Sequence, residues 1–472
     1  MSFFLIYHSY NFGINSLGML QSFINKYAIP GPRYTSYPTV PYWDVGSFSL
    51  QKWRSTLIQS FNESNVSEGI SLYIHLPFCE SLCTFCGCNK RITRRHSVEL
   101  PYIAAVLKEW QLYVRLFNKR PIIKALHLGG GTPTFFSPDN LKYLILGILK
   151  DADVASTPEF SFEGHPNNTT GAHLQTLFDL GFRRVSFGVQ DYNVTVQKAI
   201  HRVQPYENVK RVTQIARHIG YTSIGHDIVF GLPFQTLNHV ESTIVKTKTL
   251  LPDSIAFYSY AHVPWIKGNG QRGFQDADVP DANLKSAQYT LGKSLLLKAG
   301  YHEIGMDHFA LKTDALYASY HQGNLHRNFM GYTVCKTQAM IGLGVSAIGD
   351  SWYGFAQNVK SLEEYYNMLE DNELPIFRGH ILNDEDLVIR QHILNIMCKF
   401  KTSWTMSQGY FNELPHVLIR LKTMETDGLV DIKTNCITVT QKGKPFVRNI
   451  CMAFDVLLHR KQPETSLFSM TV

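Results

Sequence analysis

The chain carries eight cysteines, and four of them, Cys79, Cys83, Cys86 and Cys88, fall within the ten residues CESLCTFCGC. A set this dense is not the scatter expected of core thiols. Thiolates are soft ligands suited to zinc or to iron–sulfur clusters. Cys79, Cys83 and Cys86 have C-x3-C-x2-C spacing, which lets one loop offer three thiolates to the corners of a cubane. A [4Fe–4S] cluster ordinarily takes four protein thiolates. With three, one iron stays open to a small chelating ligand. Structural zinc prefers a second pair of ligands after a spacer, and none follows at that distance. Zinc and plain buried thiols remain the alternatives at this level. Cys335, Cys398, Cys436 and Cys451 lie far apart in the chain and read as ordinary buried thiols.

Other residues with chemical potential lie at the ends of strand-like runs. GGGTPT, residues 129–134, would let backbone amides approach a ligand closely, or would simply make a tight turn. Glu163 ends FSFE, where a carboxylate suits an ammonium or a ribose hydroxyl. Asp227 suits hydroxyls, and the fork of Arg202 suits a carboxylate. His165 reads as a rim histidine with no assigned role. Taken singly, each of these is an ordinary rim or salt-bridge residue. The run Lys90, Arg91, Arg94, Arg95 attracts carboxylates or is a solvated face.

These residues need a scaffold, and the chain reads as one. Strand-like runs at 71–76, 122–128, 159–163, 183–190, 223–233 and 254–262 alternate with helical stretches. Ser137 followed by Pro138 marks a helix start. About six βα units in a row predict a parallel sheet wrapped by helices. A closed (β/α)8 barrel needs ~250 residues, so the expected fold is α/β, a partial (β/α)6 barrel, three-quarters of a TIM-like one. The insertions fall at strand ends, the rim that carries chemistry in barrels. Beyond residue 270 the reading is a helix, then one further strand at 301–311 running into a loop, then helices from about 383. The closing order of helix, short hairpin and helix resembles a small winged-helix module, read as a packing or lid domain. Its hairpin has few basic residues, so nucleic acid is not an expected partner.

With those elements in place, the motifs resemble a known family. C-x3-C-x-aromatic-C, with Phe85 as the aromatic residue, is similar to the cluster motif of the radical S-adenosylmethionine (SAM) superfamily. PGPRYTSYPT (30–39), YIHLPFCESLCTFCGCNK (73–90), LHLGGGTPT (126–134), FGVQD (187–191), HDIVFGLP (226–233), GMDHFAL (305–311) and LHRNFMGYT (325–333) together resemble oxygen-independent coproporphyrinogen III oxidases. The resemblance implies a [4Fe–4S] cluster on Cys79, Cys83 and Cys86, with SAM on the open iron, and two SAM molecules in all. By resemblance Tyr73 lies beside the cluster-bound SAM. Gly130, Gly131, Thr132 and Glu163 contact it, and Ile348 meets its adenine. Gln190, Arg202, Asp227 and Ala261 hold the second molecule together with Phe85, Gly131 and Thr132. Arg33 is a candidate for a gating or substrate contact.

The implied reaction is oxidative decarboxylation of two propionates of coproporphyrinogen III to vinyl groups, giving protoporphyrinogen IX in haem biosynthesis through 5′-deoxyadenosyl radicals. The alternative is a haem chaperone on the same scaffold. In the family the C-x-C-N-K ending at Cys88, Asn89 and Lys90 accompanies the decarboxylases, though the role of Cys88 is not implied. Relatives more often carry acidic or polar residues where this chain has Cys335 and Gln338, and some carry an acid two positions after Glu163.

Bulk properties agree with such an enzyme. The 472 residues carry a net charge of +7 at pH 7, which suits a tetra-anionic substrate and is too mild to demand nucleic acid. No stretch reaches the ~20 apolar residues of a membrane span, and a secretion signal is not evident. The expected setting is therefore a reducing cytoplasm, with an electron-donor protein as partner and a monomer as the working state. The domain reading is an extension at 1–21 (with Met19 as a second plausible start), a segment at 22–63 that closes the active site, a core barrel at 64–300, a connecting region at 301–372 and a helical domain at 373–472.

Overall fold

The computed structural model describes residues 23, 26–263, 271, 273–461 and 467–471; the extension expected at 1–21 lies outside them. Six strands carry the alternating stretch: β1 Ile70–Leu76, β2 Ile122–Gly130, β3 Asp153–Gly164, β4 Arg184–Gln190, β5 Ser223–Phe230 and β6 Ser254–Ser259. They pair in that order and all in parallel. β1 is buried along its whole length, as a strand covered on both faces must be. The helices between strands turn an apolar stripe inward. In Pro138–Lys150 the stripe is Leu141, Leu144, Ile145 and Ile148, at i, i+3, i+4 and i+7. Ser137 caps that helix by accepting from the Asn140 N–H, as its position predicts.

The sheet runs past both ends of this series. The expected strand-and-loop at 301–311 is a hairpin, β7 His302–Gly305 and β8 His308–Ala310, joined antiparallel to β6. Beyond β1 lies β9, Ala339–Leu343, which is parallel to β1. β10 Ile348–Asp350, β11 Gly354–Asn358 and β12 Ile376–Ile381 follow antiparallel. The sequence reading placed no strand at 339–358, because glycines and short runs hide the alternation there. The result is a twelve-stranded sheet with β12 and β7 at its two ends. Inward-facing residues of β1 to β6, from Ser71 to Ala256, surround one lumen of about 200 Å3. The six βα units therefore curve into the expected partial barrel.

The C-terminal region is mainly helical: helices Asp384–Lys399, Leu414–Thr426 and Val447–Phe454 surround a small three-stranded sheet. Its likeness to a winged helix remains one of element order. Tyr27, Tyr34 and Tyr37 of the N-terminal segment enter its core beside Ile393, Val417 and Phe454. Cys335, Cys398 and Cys451 are buried as expected, but Cys436 is only half-buried, because it sits on a short strand of that sheet. Among the described residues no helix is long and apolar enough to cross a membrane.

Candidate active site

The carboxyl ends of β1 to β5 open onto a cavity of about 400 Å3. Cys79, Cys83, Cys86 and Cys88 all line it, and so do Phe85, Gly130, Gly131 and Thr132. Glu163, Gln190, Arg202 and Asp227 complete its far side. Residues spread over 149 positions of sequence, from Cys79 to Asp227, thus share one wall-to-wall space.

The cysteine loop is anchored through its backbone. Phe78–Cys79 forms a two-residue parallel ladder with Arg91–Ile92. Within it the Arg91 N–H donates to Pro77 O at 2.8 Å and the Thr93 N–H to Cys79 O at 2.9 Å. Thr84 fixes the middle of the loop, its N–H donating to Ile200 O and its hydroxyl to Ala199 O, each at 3.0 Å. The thiols are left to face the cavity. Burial pushes the Cys79 thiol up to about 11, although Thr132 Oγ1 lies 3.3 Å from its sulfur. The two neighbouring thiols influence each other, Cys86 being drawn below the usual thiol range and Cys88 pushed above it. Cys88 is itself exposed.

The glycine loop fits against that strand. Gly130 has φ +109°, and a Cβ there would stand 2.6 Å from the His75 ring. A Cβ on Gly131 would stand 2.6 Å from the Pro77 carbonyl. Only glycine admits this approach. Glu163 accepts from the Gly130 N–H at 3.3 Å and lies 3.6 Å from His127 Nε2. Asp227 is held by the Ser186 hydroxyl at 2.7 Å, and burial raises its carboxyl to about 6. Arg202 donates through Nη2 to Gly188 O at 2.7 Å, while its Nε is buried with no partner among the described residues. A buried donor in that state is open to a ligand or an ordered water.

Other expected residues lie beside the cavity. Tyr73 stacks on His127 and meets Phe329 edge-on. Ile348 lies on β10, two strands out from β1. Tyr73 pairs with Gly342, and a Cβ on Gly342 would strike the Ile348 backbone at 2.5 Å. Ile348 packs with Trp43 and Phe355 and is not part of the cavity lining. Ala261 follows β6, its carbonyl accepting from Gln271 Nε2 at 2.8 Å, and is likewise outside the lining. Arg33 is tied to the same end of β6: Nη2 donates to Ser259 O at 3.1 Å and Nη1 lies 3.3 Å from Asp307 Oδ2.

Two residues were missed or left without a role by the sequence reading. His75 bridges Tyr73 and the cysteine loop: its Nε2 lies 2.9 Å from Asn89 O and its Nδ1 lies 3.1 Å from the Tyr73 hydroxyl. A carbonyl only accepts, so Nε2 carries the proton and the tyrosine donates to Nδ1. Burial lowers the pKa of His75, which keeps the ring neutral. The signal was available, since Tyr73 and His75 share one face of β1. His165 lines the cavity, and burial with Arg202 nearby drives its pKa well below the usual histidine value. Its Nδ1 accepts from the Asn167 N–H at 3.2 Å.

The donor set fits a thiolate-bound cluster next to a small zwitterionic ligand. Thiols, a close-packed glycine backbone, a carboxylate and an unsatisfied arginine face one space.

Known proteins resemble this chain closely. The profile of the Radical SAM superfamily matches residues 73–246. Oxygen-independent coproporphyrinogen III oxidase from Helicobacter pylori (strain ATCC 700392 / 26695) is 37% identical over 442 residues, 92% of this chain and 96% of that protein. Its counterpart in Escherichia coli (strain K12) is 36% identical, over 93% of this chain and 95% of that one. The solved structure of coproporphyrinogen III oxidase from Escherichia coli, described as a radical SAM enzyme, superposes with a TM-score of 0.84 at 35% identity. It covers 90% of this chain and 97% of that one.

Proposed function

The chain belongs to the oxygen-independent coproporphyrinogen III oxidase family of radical SAM enzymes, and from that premise we propose that it oxidatively decarboxylates two propionates of coproporphyrinogen III to vinyl groups. The product is protoporphyrinogen IX, an intermediate of haem biosynthesis. The observation that carries this reading is the single cavity shared by Cys79, Cys83, Cys86, the glycine loop, Glu163 and Arg202.

In this reading Cys79, Cys83 and Cys86 hold a [4Fe–4S] cluster with SAM on its open iron. When bound, that pair supplies one-electron chemistry able to remove a hydrogen atom from an unactivated carbon. The chain's own residues bind and orient. Glu163 and the Gly130–Thr132 backbone take the polar groups of the first SAM, with Tyr73 beside it and Ile348 toward its adenine. Gln190, Arg202, Asp227 and Ala261 take a second SAM with Phe85, Gly131 and Thr132. His75 accepts the Tyr73 hydroxyl proton, which leaves the oxygen's lone pairs available to the ligand. In this reading the segment 22–63 closes the active site, and Arg33 meets a propionate of the substrate. The reading requires a protein electron donor and a reducing compartment such as the cytoplasm, and it needs only one copy of the chain.

The test is anaerobic incubation of the reconstituted protein with coproporphyrinogen III, SAM and dithionite. Two CO2 released per tetrapyrrole and a divinyl product are expected. SAM cleavage with no CO2 release would overturn the assignment.

A further inference from the structure

We propose that the outer groove beside the cysteine loop is the docking surface for an acidic one-electron carrier protein; the inference rests on the oxidase reading above. The groove encloses about 520 Å3; Ile92, Pro101 and Tyr366 are among its apolar lining residues, and Arg91, Arg95 and Glu363 are its charged ones. Ile92 is 42% exposed, a branched aliphatic side chain left facing water. An apolar floor inside a charged rim is the anatomy of a transient protein interface.

The charge of the rim selects the partner. Between Lys90 and Arg95 the chain has four cations and no acid. Arg91 and Arg95 are exposed. The acid facing them from the neighbouring helix is Glu363, 3.9 Å from Arg91 and 71% exposed, a pair that solvent screens heavily. Glu99 is turned inward, accepting from the Ser137 N–H and from Asn140. The patch is therefore net positive toward solvent, and a negatively charged partner is steered to it.

Position selects the task. Arg91–Ile92 is the strand laddered to Phe78–Cys79, so a protein seated on it lies one strand from the first cluster ligand. Arg94 lines the cofactor cavity, whereas Arg91 and Arg95 line only the outer groove. Substrate carboxylates bound in the cavity therefore do not account for the outer pair. The step is a transfer of one electron: the carrier is oxidised by one, the cluster is reduced by one, and no bond forms or breaks.

The test compares two reductants on the reconstituted holoprotein, reading the bleaching of cluster absorbance by stopped flow. Photoreduced acidic flavodoxin should reduce the Arg91→Glu/Arg95→Glu variant about tenfold more slowly than wild type. Its calorimetric affinity should fall in parallel, and the salt dependence seen with wild type should vanish. Dithionite should reduce both within about twofold, since a small reductant needs no docking surface. Ile92→Glu, which leaves both arginines in place, should show the same selective loss and carries the test if the double variant fails to hold iron. An unchanged flavodoxin rate in Ile92→Glu, or an equal slowing with dithionite, would overturn the proposal. Failure of the oxidase reading is separately visible, as absence of CO2 with wild type and dithionite while the reduction rates still report docking.

Discussion

Two segments meet at the rim of the barrel and are held in opposite ways. The cysteine loop, 78–95, is fixed chiefly through its main chain, by the ladder to Arg91–Ile92 and the Thr84 N–H to Ile200 O, with the Thr84 hydroxyl and His75 adding bonds to Ala199 O and Asn89 O. Its thiols line the cavity. The N-terminal segment, 27–37, is instead gripped by side chains from far along the chain. Arg327 donates to Arg33 O and Tyr34 O at 3.3 Å each. Arg448 donates to Pro32 O at 2.9 Å, to Gly31 O, and to Met470 O and Thr471 O at 3.0 and 3.2 Å. Tyr34 donates its hydroxyl to buried Asp455 at 3.1 Å. The loop is laddered mainly to residues close in sequence, whereas the segment is gripped by side chains from distant parts of the chain.

The contrast makes two substitutions behave as opposites. Replacing Cys79, Cys83 or Cys86 by serine should abolish iron binding and all activity while leaving thermal unfolding of the apoprotein close to wild type. Cys88→Ser should keep most of its iron. A collapse of folding in the first three would show that the thiols, not the backbone, hold the loop. Arg448→Met should do the reverse, retaining iron at low temperature but losing about 4 kcal/mol of stability, because several buried carbonyls lose their donor together. Urea denaturation reads that difference. Arg448 is only 6% exposed, and the hydrogen bonds it makes among the described residues all go to backbone carbonyls. Burial lowers its pKa to about 9, yet it stays charged at neutral pH.

The same contrast explains what the sequence could and could not reveal. The cysteine loop was legible because its ligands are local, ten residues with a spacing that chemistry recognises. The six βα units were legible because alternation and capping are local too, as Ser137 shows. The strands beyond β1 were not. β9 and β10 are short and broken by Gly342, Gly344 and Gly349, and β9 pairs with a strand some 270 residues away. The anchoring of the N-terminal segment was equally hidden, because Arg448 lies 416 positions from Pro32. For Ile348 and Ala261 the resemblance placed two residues near the site, and the structure sets both just outside the cavity lining. His75 was the avoidable omission, since period-two geometry puts it beside Tyr73.

A third segment sharpens the comparison, because its side-chain anchor titrates. The turn after β9 is held by Glu109, fully buried, which accepts from the Gly344 N–H at 2.8 Å, from Asn358 at 2.6 Å and from the Tyr365 hydroxyl at 2.6 Å. Burial raises its carboxyl from 4.5 to about 7, outweighing those hydrogen bonds. The folded state then keeps a proton across that window which the unfolded chain has released. Stability from this group is complete below pH 4.5 and is lost as pH rises through about 7, by up to about 3 kcal/mol. In Glu109→Gln that slope should disappear. The stability difference between wild type and variant, measured by urea at pH 5 and pH 8, isolates the effect, since other titrating groups cancel. A difference that does not change with pH would show that the turn is held by a permanently ionised carboxylate.

Arg33 tests the smallest element of the contrast, a side chain of the N-terminal segment tied to the end of β6. Its ion pair with Asp307 is partly exposed, at 32% and 18%, so Arg33→Ala should cost only about 1 kcal/mol of stability. The useful readout is KM for the tetrapyrrole. If Arg33 meets a propionate, Arg33→Lys keeps the charge but loses the fork, and KM should rise about threefold with kcat unchanged, the pattern of lost uniform binding. Asp307→Asn separates this role from simple closure. Without its partner the guanidinium is freer to meet the substrate, so KM should hold steady or fall. A KM that rises equally in Arg33→Lys and Asp307→Asn would assign the pair to the latch, making Arg33 one more anchor of the cover and not a contact beneath it.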